Sequence, residues 1–407
     1  MIGGVERTAP DDRLYTRQFF EVFAAVTFFM TGFALQFHFG QYIQFVGHDV
    51  SVLGRILSIS MIGTLAIRFH IGRWIDRFGC RPTWMLGTLT VAVSVAALQF
   101  TTQLWLITVL RTISMMAFAA VMTTVAVFAA YVAPPQRRAE SLGTIGLGGF
   151  LGILIGPTLG DWIFDSGVET ILPYRIFFSA SAVCSLLAGA IMLFVRIPDR
   201  AQPASNAARH AVDSQPGESV LRVVLRNWPG MILLVGMVFS VVFALQMSFL
   251  ERLAERRGFD DIKLFFLCYA PTAIALRIAL RRLPQRFGRG RTVVLGMSLI
   301  GVGLLFLVGV DSQLGLIVPG VVMGAGHCFV FPSKIDLAAG SLPAEHRGIG
   351  TSLIMGAGDL GMLIGFAAMG EAIQAYGFDA TLRTLAIIVL ATAALFGVLR
   401  PSRGWSD

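Results

Sequence analysis

The chemistry in this chain rests with a few ionisable and polar residues set inside long apolar runs. Asp359 is the clearest, in the middle of GAGDLGMLIG with glycines on neighbouring positions. A charge deep in hydrocarbon costs several kcal/mol unless it is paired or hydrated. Such a carboxylate either loads and releases a proton, holds a substrate cation, or serves as the structural partner of an arginine. Arg111, in LRTISMMAF, is suited to binding an anionic group, perturbing a carboxylate or anchoring near the outer interface. In LQFHFGQY, Gln36, His38 and Gln41 offer polar contacts while Phe37, Phe39 and Tyr42 supply flat surfaces. His38 is readable as a proton site or ligand contact, and equally as a packing histidine. His327 lies four residues after Met323 on one helical face, beside Cys328. A soft metal would accept that pair, but a third strong ligand is missing, so they are weak metal candidates and no metal is expected.

These residues need a frame that crosses a bilayer. The 407 residues are 55% hydrophobic and 14% charged, where a soluble domain carries roughly 25% charged residues. The apolar residues fall in blocks long enough, at about 20 helical residues, to span a hydrocarbon core. The runs predict crossings near 19–46, 52–73, 83–101, 104–132, 140–164 and 173–195, then near 230–250, 262–283, 292–310, 313–337, 347–372 and 380–399. The expected fold class is therefore an all-α polytopic membrane protein of about twelve transmembrane helices. A polar segment separates two sets of six, giving an N-terminal half at 1–195, a linker at 196–229 and a C-terminal half at 230–407. The linker ends in VLRVVLRNWPG, whose Arg222 and Arg226 suit a short helix lying at the membrane interface.

The net charge of +8 sits in short turns between apolar runs, which favours membrane topology over nucleic acid as its explanation. One side collects Arg7, Arg13, Arg17, Arg73, Arg77, Arg81, Arg137, Arg138, the linker arginines, and Arg281 through Arg291, Arg347, Arg400 and Arg403. The other carries Asp49, Asp161, Asp165, Glu169, Asp311, Glu371 and Asp379. The loop around ERLAERRGFDDIK is balanced. By the positive-inside rule both termini are cytoplasmic, in a multi-pass protein of the cell (inner) membrane. Arg68 and Arg277, one turn before the basic turns, are expected to snorkel to the headgroups, and Lys334 with Asp336 to form interface charges. The four cysteines show no disulfide or zinc spacing, and the polar start is unlike a cleavable signal peptide.

The stretch AIRFHIGRWIDRFGCRPT at 66–83 is echoed by ALRIALRRLPQRFGRGRT at 275–292. Arg68, Arg77, Phe78, Gly79 and Thr83 pair with Arg277, Arg286, Phe287, Gly288 and Thr292, each 209 residues on. The same offset pairs Pro134 with Pro343 and GILIG at 152–156 with GMLIG at 361–365. The halves are a parallel internal repeat, as several transporter folds are. Gly72 through Arg81 reads G-x-x-x-D-R-x-G-x-R and resembles the loop 2–3 motif of the major facilitator superfamily; the likeness covers the whole chain. The second copy departs from it, with Gln285 for the aspartate and Arg281 for the first glycine.

The resemblance implies a conformational latch at Gly72, Asp76, Arg77, Gly79 and Arg81 that holds the cytoplasmic side shut. The glycines permit a tight turn and close helix approach, and Asp76 meets neighbouring arginines or the N-terminal end of helix 11 near Pro343 to Gly350. Gly152, Gly156, Pro157 and Gly160 resemble the family's helix 5 motif associated with antiporters, with Asp161 in place of the last glycine. Arg111 resembles the helix 4 motif without its following glycine. Gln246 joins the substrate candidates because helices 1 and 7 line the cavity in this fold.

Together these readings give a proton-coupled secondary active transporter that moves a small organic, amphipathic or anionic compound by alternating access, with export favoured. An importer of a metabolite, metal or metal chelate is the alternative. Neither a Walker A run nor H-E-x-x-H is present, so neither ATP drive by this chain nor an enzyme is expected. The expected partners are the substrate, H⁺ and the lipid bilayer, with no nucleic acid and no cofactor, in a monomer.

Overall fold

A computed structural model describes residues 15–132, 138–164, 170–195, 220–259, 261–280, 283–343 and 346–399, with backbone alone at a few positions that include Asp76. The described residues are almost entirely helical and contain no strand. Crossing 1 runs Arg17–Leu35, passes through a 3₁₀ turn at Gln36–His38 and ends as Phe39–Phe45. Crossings 2 to 6 are Val50–Phe78, Cys80–Leu98, Leu104–Val132, Arg138–Phe164 and Ile171–Phe194. Crossings 7 to 10 are Met231–Ser248, Lys263–Ala279, Arg289–Val308 and Ile317–Gly340. Crossings 11 and 12 share the continuous segment Arg347–Leu399, broken at Gly377, whose φ of 79° no helix accommodates.

Three boundaries differ from the sequence expectation. Crossing 2 continues to Phe78, so the charged motif is its last turn, and the turn itself is Gly79 alone at φ 85°. Crossing 1 is interrupted by the 3₁₀ turn. The balanced stretch ERLAERR is no loop: Leu250–Arg256 is helical and extends crossing 7, with Leu250, Leu253 and Ala254 buried on one face. The linker up to residue 219 lies outside the described residues. Its last part, Val220–Arg226, is a helix that buries Val223 and Val224 with Leu342.

Without water to satisfy them, polar groups in the spans must be satisfied within the protein. Buried hydroxyls do this locally: Thr31, Ser60 and Thr124 each donate to the carbonyl four residues back. Helix association in lipid relies on close packing of small residues, and the glycines of crossing 5 supply it. A Cβ on Gly152 would stand 2.5 Å from Met30 Cβ, one on Gly156 2.7 Å from the Leu35 nitrogen, and one on Gly160 2.9 Å from the His38 ring. Crossing 5 thus lies directly on crossing 1, with Pro157 inside the helix.

The same contacts recur 209 residues later. Gly361 and Gly365 seat crossing 11 on crossing 7 at Met237 and Val241, as Gly152 and Gly156 seat crossing 5 on crossing 1. Gly87 of crossing 3 faces Val121 at 2.5 Å, and Gly296 of crossing 9 faces Val330 at 2.6 Å. Thr83 and Thr292 each donate to the carbonyl of a positive-φ glycine, Gly79 and Gly288. Two pseudo-symmetric six-helix halves therefore pack alike. They meet through crossing 2 on crossing 11 and crossing 5 on crossing 8.

The interface between the halves is tight at one end. There a Cβ on Gly54 would collide with the Phe366 carbonyl, Ser58 donates to the Leu363 carbonyl at 2.9 Å, and Arg55 pairs with Glu371 at 2.7 Å. Toward the arginine-rich end nothing among the described residues lies within 4 Å of a Cβ on Gly72, Gly348 or Gly356. Gly72 therefore makes no close helix approach in this conformation, contrary to the sequence expectation, because the facing helices have diverged by that level.

Replacing Gly156 by leucine should lower the thermal stability of the detergent-solubilised protein by the equivalent of about 1–3 kcal/mol, the usual cost of overpacking. Replacing Gly72 by alanine should change it by no more than about 0.5 kcal/mol. Thermal unfolding of the two variants side by side checks both.

Candidate functional site

Crossing 2 and crossing 11 face each other at matched depth, and this brings Arg68 onto Asp359. Arg68 Nη2 donates to Asp359 Oδ1 at 2.9 Å and Nε to Oδ2, a bidentate pair linking the two halves. Asp359 thus has an arginine partner in this conformation, as one of its sequence readings has it. Arg68 does not snorkel outward, because an unpaired carboxylate across the interface would cost more than turning the guanidinium in. Arg277, its repeat equivalent, is also turned inward, with guanidinium nitrogens 3.8 Å from where Cβ atoms on Gly143 and Gly146 would stand.

Next to this pair the interior is aromatic and basic. His327 is buried within a cage of Phe150, Phe239, Phe243, Tyr269 and Phe331, with ring centroids 4.9–5.7 Å away. Phe150 comes from the first half and the others from the second. The Tyr269 hydroxyl meets His327 Nδ1. Lys334 is buried rather than interfacial, its Nζ 4.2 Å from the centre of the Phe239 ring and 5.4 Å from that of Phe331. Asp336, its sequence neighbour, does sit at the rim, paired with Arg289 at 2.7 Å.

A small cavity lies between Gln246, Tyr269, Met323 and His327. Gln246 Nε2 is 3.8 Å from Met323 Sδ, so both candidates share one wall with His327. Among the described residues no group of three or more His, Cys, Asp or Glu side chains gathers as metal ligands would. The first half holds a matching cavity, lined by Gln36, Arg111, Ser114 and Phe118 among others. Ser114 and Phe118 are the repeat equivalents of Met323 and His327. In it Arg111 Nη1 donates to Gln36 Oε1 at 3.0 Å, and the guanidinium covers the Phe39 ring at 4.8 Å. The structure thus joins Arg111 to Gln36, while keeping that pair within the first half.

Tyr42 is fully buried, with its hydroxyl donating to the Leu98 and Thr101 carbonyls and its ring against Phe178. This ties crossing 1 to the end of crossing 3, a packing role. Gln41 beside it is half-buried. In the latch motif, the Asp76 side chain lies outside the described residues. Arg77 lies over the Phe78 ring at 5.4 Å, and Arg81 Nη2 donates to the Leu193 carbonyl.

His38 comes together with two residues that the sequence reading did not select. Its Nε2 is 2.8 Å from Asp161 Oδ1 and 3.8 Å from Glu251 Oε1. Asp161 occupies the motif position where glycine is usual, and that departure was the available signal. Glu251 carried one too, since Leu250, Leu253 and Ala254 continue the apolar periodicity of crossing 7. Its depth follows from the fold alone.

A family model described as Major Facilitator Superfamily matches residues 19–284 and 261–405. The chain is 27% identical over 283 residues to the synaptic vesicular amine transporter of Rattus norvegicus, covering 65% of this chain and 50% of that protein. It is 27% identical over 169 residues to multidrug resistance protein 2 of Bacillus subtilis, 42% of this chain and 40% of that one. The match thus spans about half the length of these curated relatives. Among solved structures, the peptide transporter POT superposes with a TM-score of 0.75 at 12% identity, over 95% of this chain and 94% of that one. The human organic anion transporter MFSD10 superposes with a TM-score of 0.66 at 16% identity, over 95% and 100%. The chain belongs to the Major Facilitator Superfamily.

Proposed function

We propose that the protein is a proton-coupled secondary active transporter of a small amphipathic organic compound that carries a negative group, with export favoured. The observation that carries this reading is the basic, aromatic interior at the joint between the halves. Arg68, Arg277 and Lys334 stand with the carboxylate Asp359, which Arg68 already neutralises. The rings around His327 offer an apolar substrate body flat contact, and Lys334 and Arg277 offer its anionic group a counter-charge. Gln246 and His327 are the polar contacts on this wall.

The two halves, at 1–195 and 230–407, act as the moving bodies, and 196–229 as the cytoplasmic linker of a monomer in the cell membrane with both termini inside. Closure at Gly54, Ser58 and Arg55 with divergence beyond Gly72 and Gly356 supports alternating access, this conformation being open toward the cytoplasm. The latch at Asp76 engages when that end shuts. Asp359 couples to the proton by exchanging Arg68 for H⁺ as the halves move. A second reading, a cationic amine as substrate, is favoured by Asp359 itself and by the amine-transporting relative. In it the amine displaces Arg68. The direction is open to reversal as import of a metabolite or a metal chelate, which the same vesicle assay distinguishes.

In proteoliposomes an imposed pH gradient should drive net movement of an amphipathic organic anion, and collapse of the gradient with a protonophore should abolish it. Lys334→Ala should reduce transport of such anions by at least about tenfold, the loss of one charge-assisted contact. Retained anion transport in that variant, with loss of amine transport in Asp359→Asn, would sink the anion reading.

Removing Arg68 alone strands a buried carboxylate, so Arg68→Met should cost more stability than the double variant Arg68→Met, Asp359→Leu. The expected difference is about 1–3 kcal/mol in thermal or denaturant unfolding. Equal losses in the single and double variants would remove the pair from the joint.

A further inference from the structure

At the closed end of the bundle a second ionisable group sits apart from the aromatic interior, and the reading above leaves it unused. His38, at the end of the 3₁₀ turn in crossing 1, lies between Asp161 of crossing 5 and Glu251 of the crossing 7 extension. All three residues are buried, at 0%, 8% and 6% exposure. Crossings 1 and 5 belong to one half and Glu251 to the other, so the group straddles the contact that shuts this end.

Its hydrogen bonding is incomplete. Asp161 Oδ2, both Glu251 oxygens and His38 Nδ1 are buried without a hydrogen-bond partner among the described residues. The neighbouring charged groups spend their hydrogen bonds elsewhere, though the field of Arg252 reaches Glu251. Arg252, next to Glu251, donates to the Gly40 carbonyl and, at 2.7 Å, to Glu255. Asp261, whose field reaches His38, pairs with Lys263. Arg111 on crossing 4 is engaged with Gln36 and the Phe39 ring. Two ionised carboxylates flanking one imidazole would leave net negative charge in a buried pocket even with the imidazole protonated. One further proton makes the group neutral.

We infer that His38, Asp161 and Glu251 form a proton-binding site that fastens this end of the transporter when it is shut and releases its proton when the end opens. Its part in transport rests on the proton-coupled reading given above. The step is a transfer of one H⁺ from water to the triad on closing and back to water on opening. Opening separates crossing 1 from crossing 7 and parts His38 from Glu251. Water then reaches the carboxylates, and the ionised form is no longer penalised. The shut form binds more protons than the open form, so falling pH favours the shut form and rising pH the open one. An acidic exterior would thus close the outer end after substrate release, the order an exporter exchanging substrate for protons requires. Asp161, the departure from the helix 5 glycine motif, is on this reading what turns a packing seam into a sensor.

The test uses the full chain in nanodiscs, its four native cysteines replaced, with spin labels on Gln44→Cys and Ser312→Cys, exposed positions on opposite halves at this end. Between roughly pH 8 and pH 5.5 the label distances should shift from the long toward the short population. Glu251→Gln, a neutral isostere, should stay short across that range, and Glu21→Gln, which only breaks a pair with Arg17 at the opposite end, should keep the full pH response. Should Glu251→Gln fail to fold, Asp161→Asn and the unmodified triad give the same reading. A pH response unchanged by Glu251→Gln or Asp161→Asn, or none with the intact triad, overturns the proposal. Gradient-driven transport decides the two claims separately. Transport that persists without a pH-responsive gate removes this site and leaves proton coupling standing. A pH-responsive gate without gradient-driven transport supports the site and sinks the coupling reading.

Discussion

An ionised group inside a bilayer has to find its counterpart within the protein, and here the counterparts lie across the joint between two halves. Arg68 and Asp359 each make the other tolerable at their depth. The pair therefore does more than neutralise charge, since it fixes the register of crossing 2 on crossing 11. On one side of it the helices touch backbone to backbone at Gly54 and Phe366, and on the other they diverge past Gly72 and Gly356. Any motion of the halves about this level must exchange that bond for water, a substrate group or a proton. A salt bridge used in this way serves as a hinge pin more than as a source of stability.

The rest of the interior follows from how closely the helices come. Glycines at 152, 156 and 160 let crossing 5 lie on crossing 1, and those at 361 and 365 let crossing 11 lie on crossing 7. The repeat thus conserves a packing device while its chemistry diverges. Phe118 in one half corresponds to His327 in the other, and Ser114 to Met323. Arg111 therefore faces an amide in a closed pocket within its half, whereas His327 faces rings contributed by both halves. The same backbone plan yields one pocket closed within its own half and one wall of the shared interior.

Much of this was legible beforehand. Long apolar runs and the 209-residue offset marked twelve crossings in two halves, because span length and repeat period are one-dimensional quantities. The glycine spacing in crossing 5 marked a close seam, and Gly79 marked a turn that only a positive φ makes. The sequence puts the motif residues around it in the turn, one helical turn off, since charge alone does not say that Gly72 to Phe78 remain helical. The residue type of Tyr42 suits a ligand contact, whereas its hydroxyl is bound to the carbonyls at the end of crossing 3.

The amino-acid sequence by itself determined the class of molecule, the number of spans, their pairing by repeat and the presence of a few costly polar groups within them. Those properties depend on hydrophobicity and spacing along the chain. The tertiary structure decided which of those groups meet. Arg68 and Asp359 are 291 residues apart, His38 and Asp161 123 apart, and no local pattern encodes such encounters. Depth in the bundle turned Arg68 and Lys334 inward and made Glu251 a buried acid. Burial and partnership belong to the packed helices, and in a bilayer it is those two quantities that determine whether a charge is structural, functional or both.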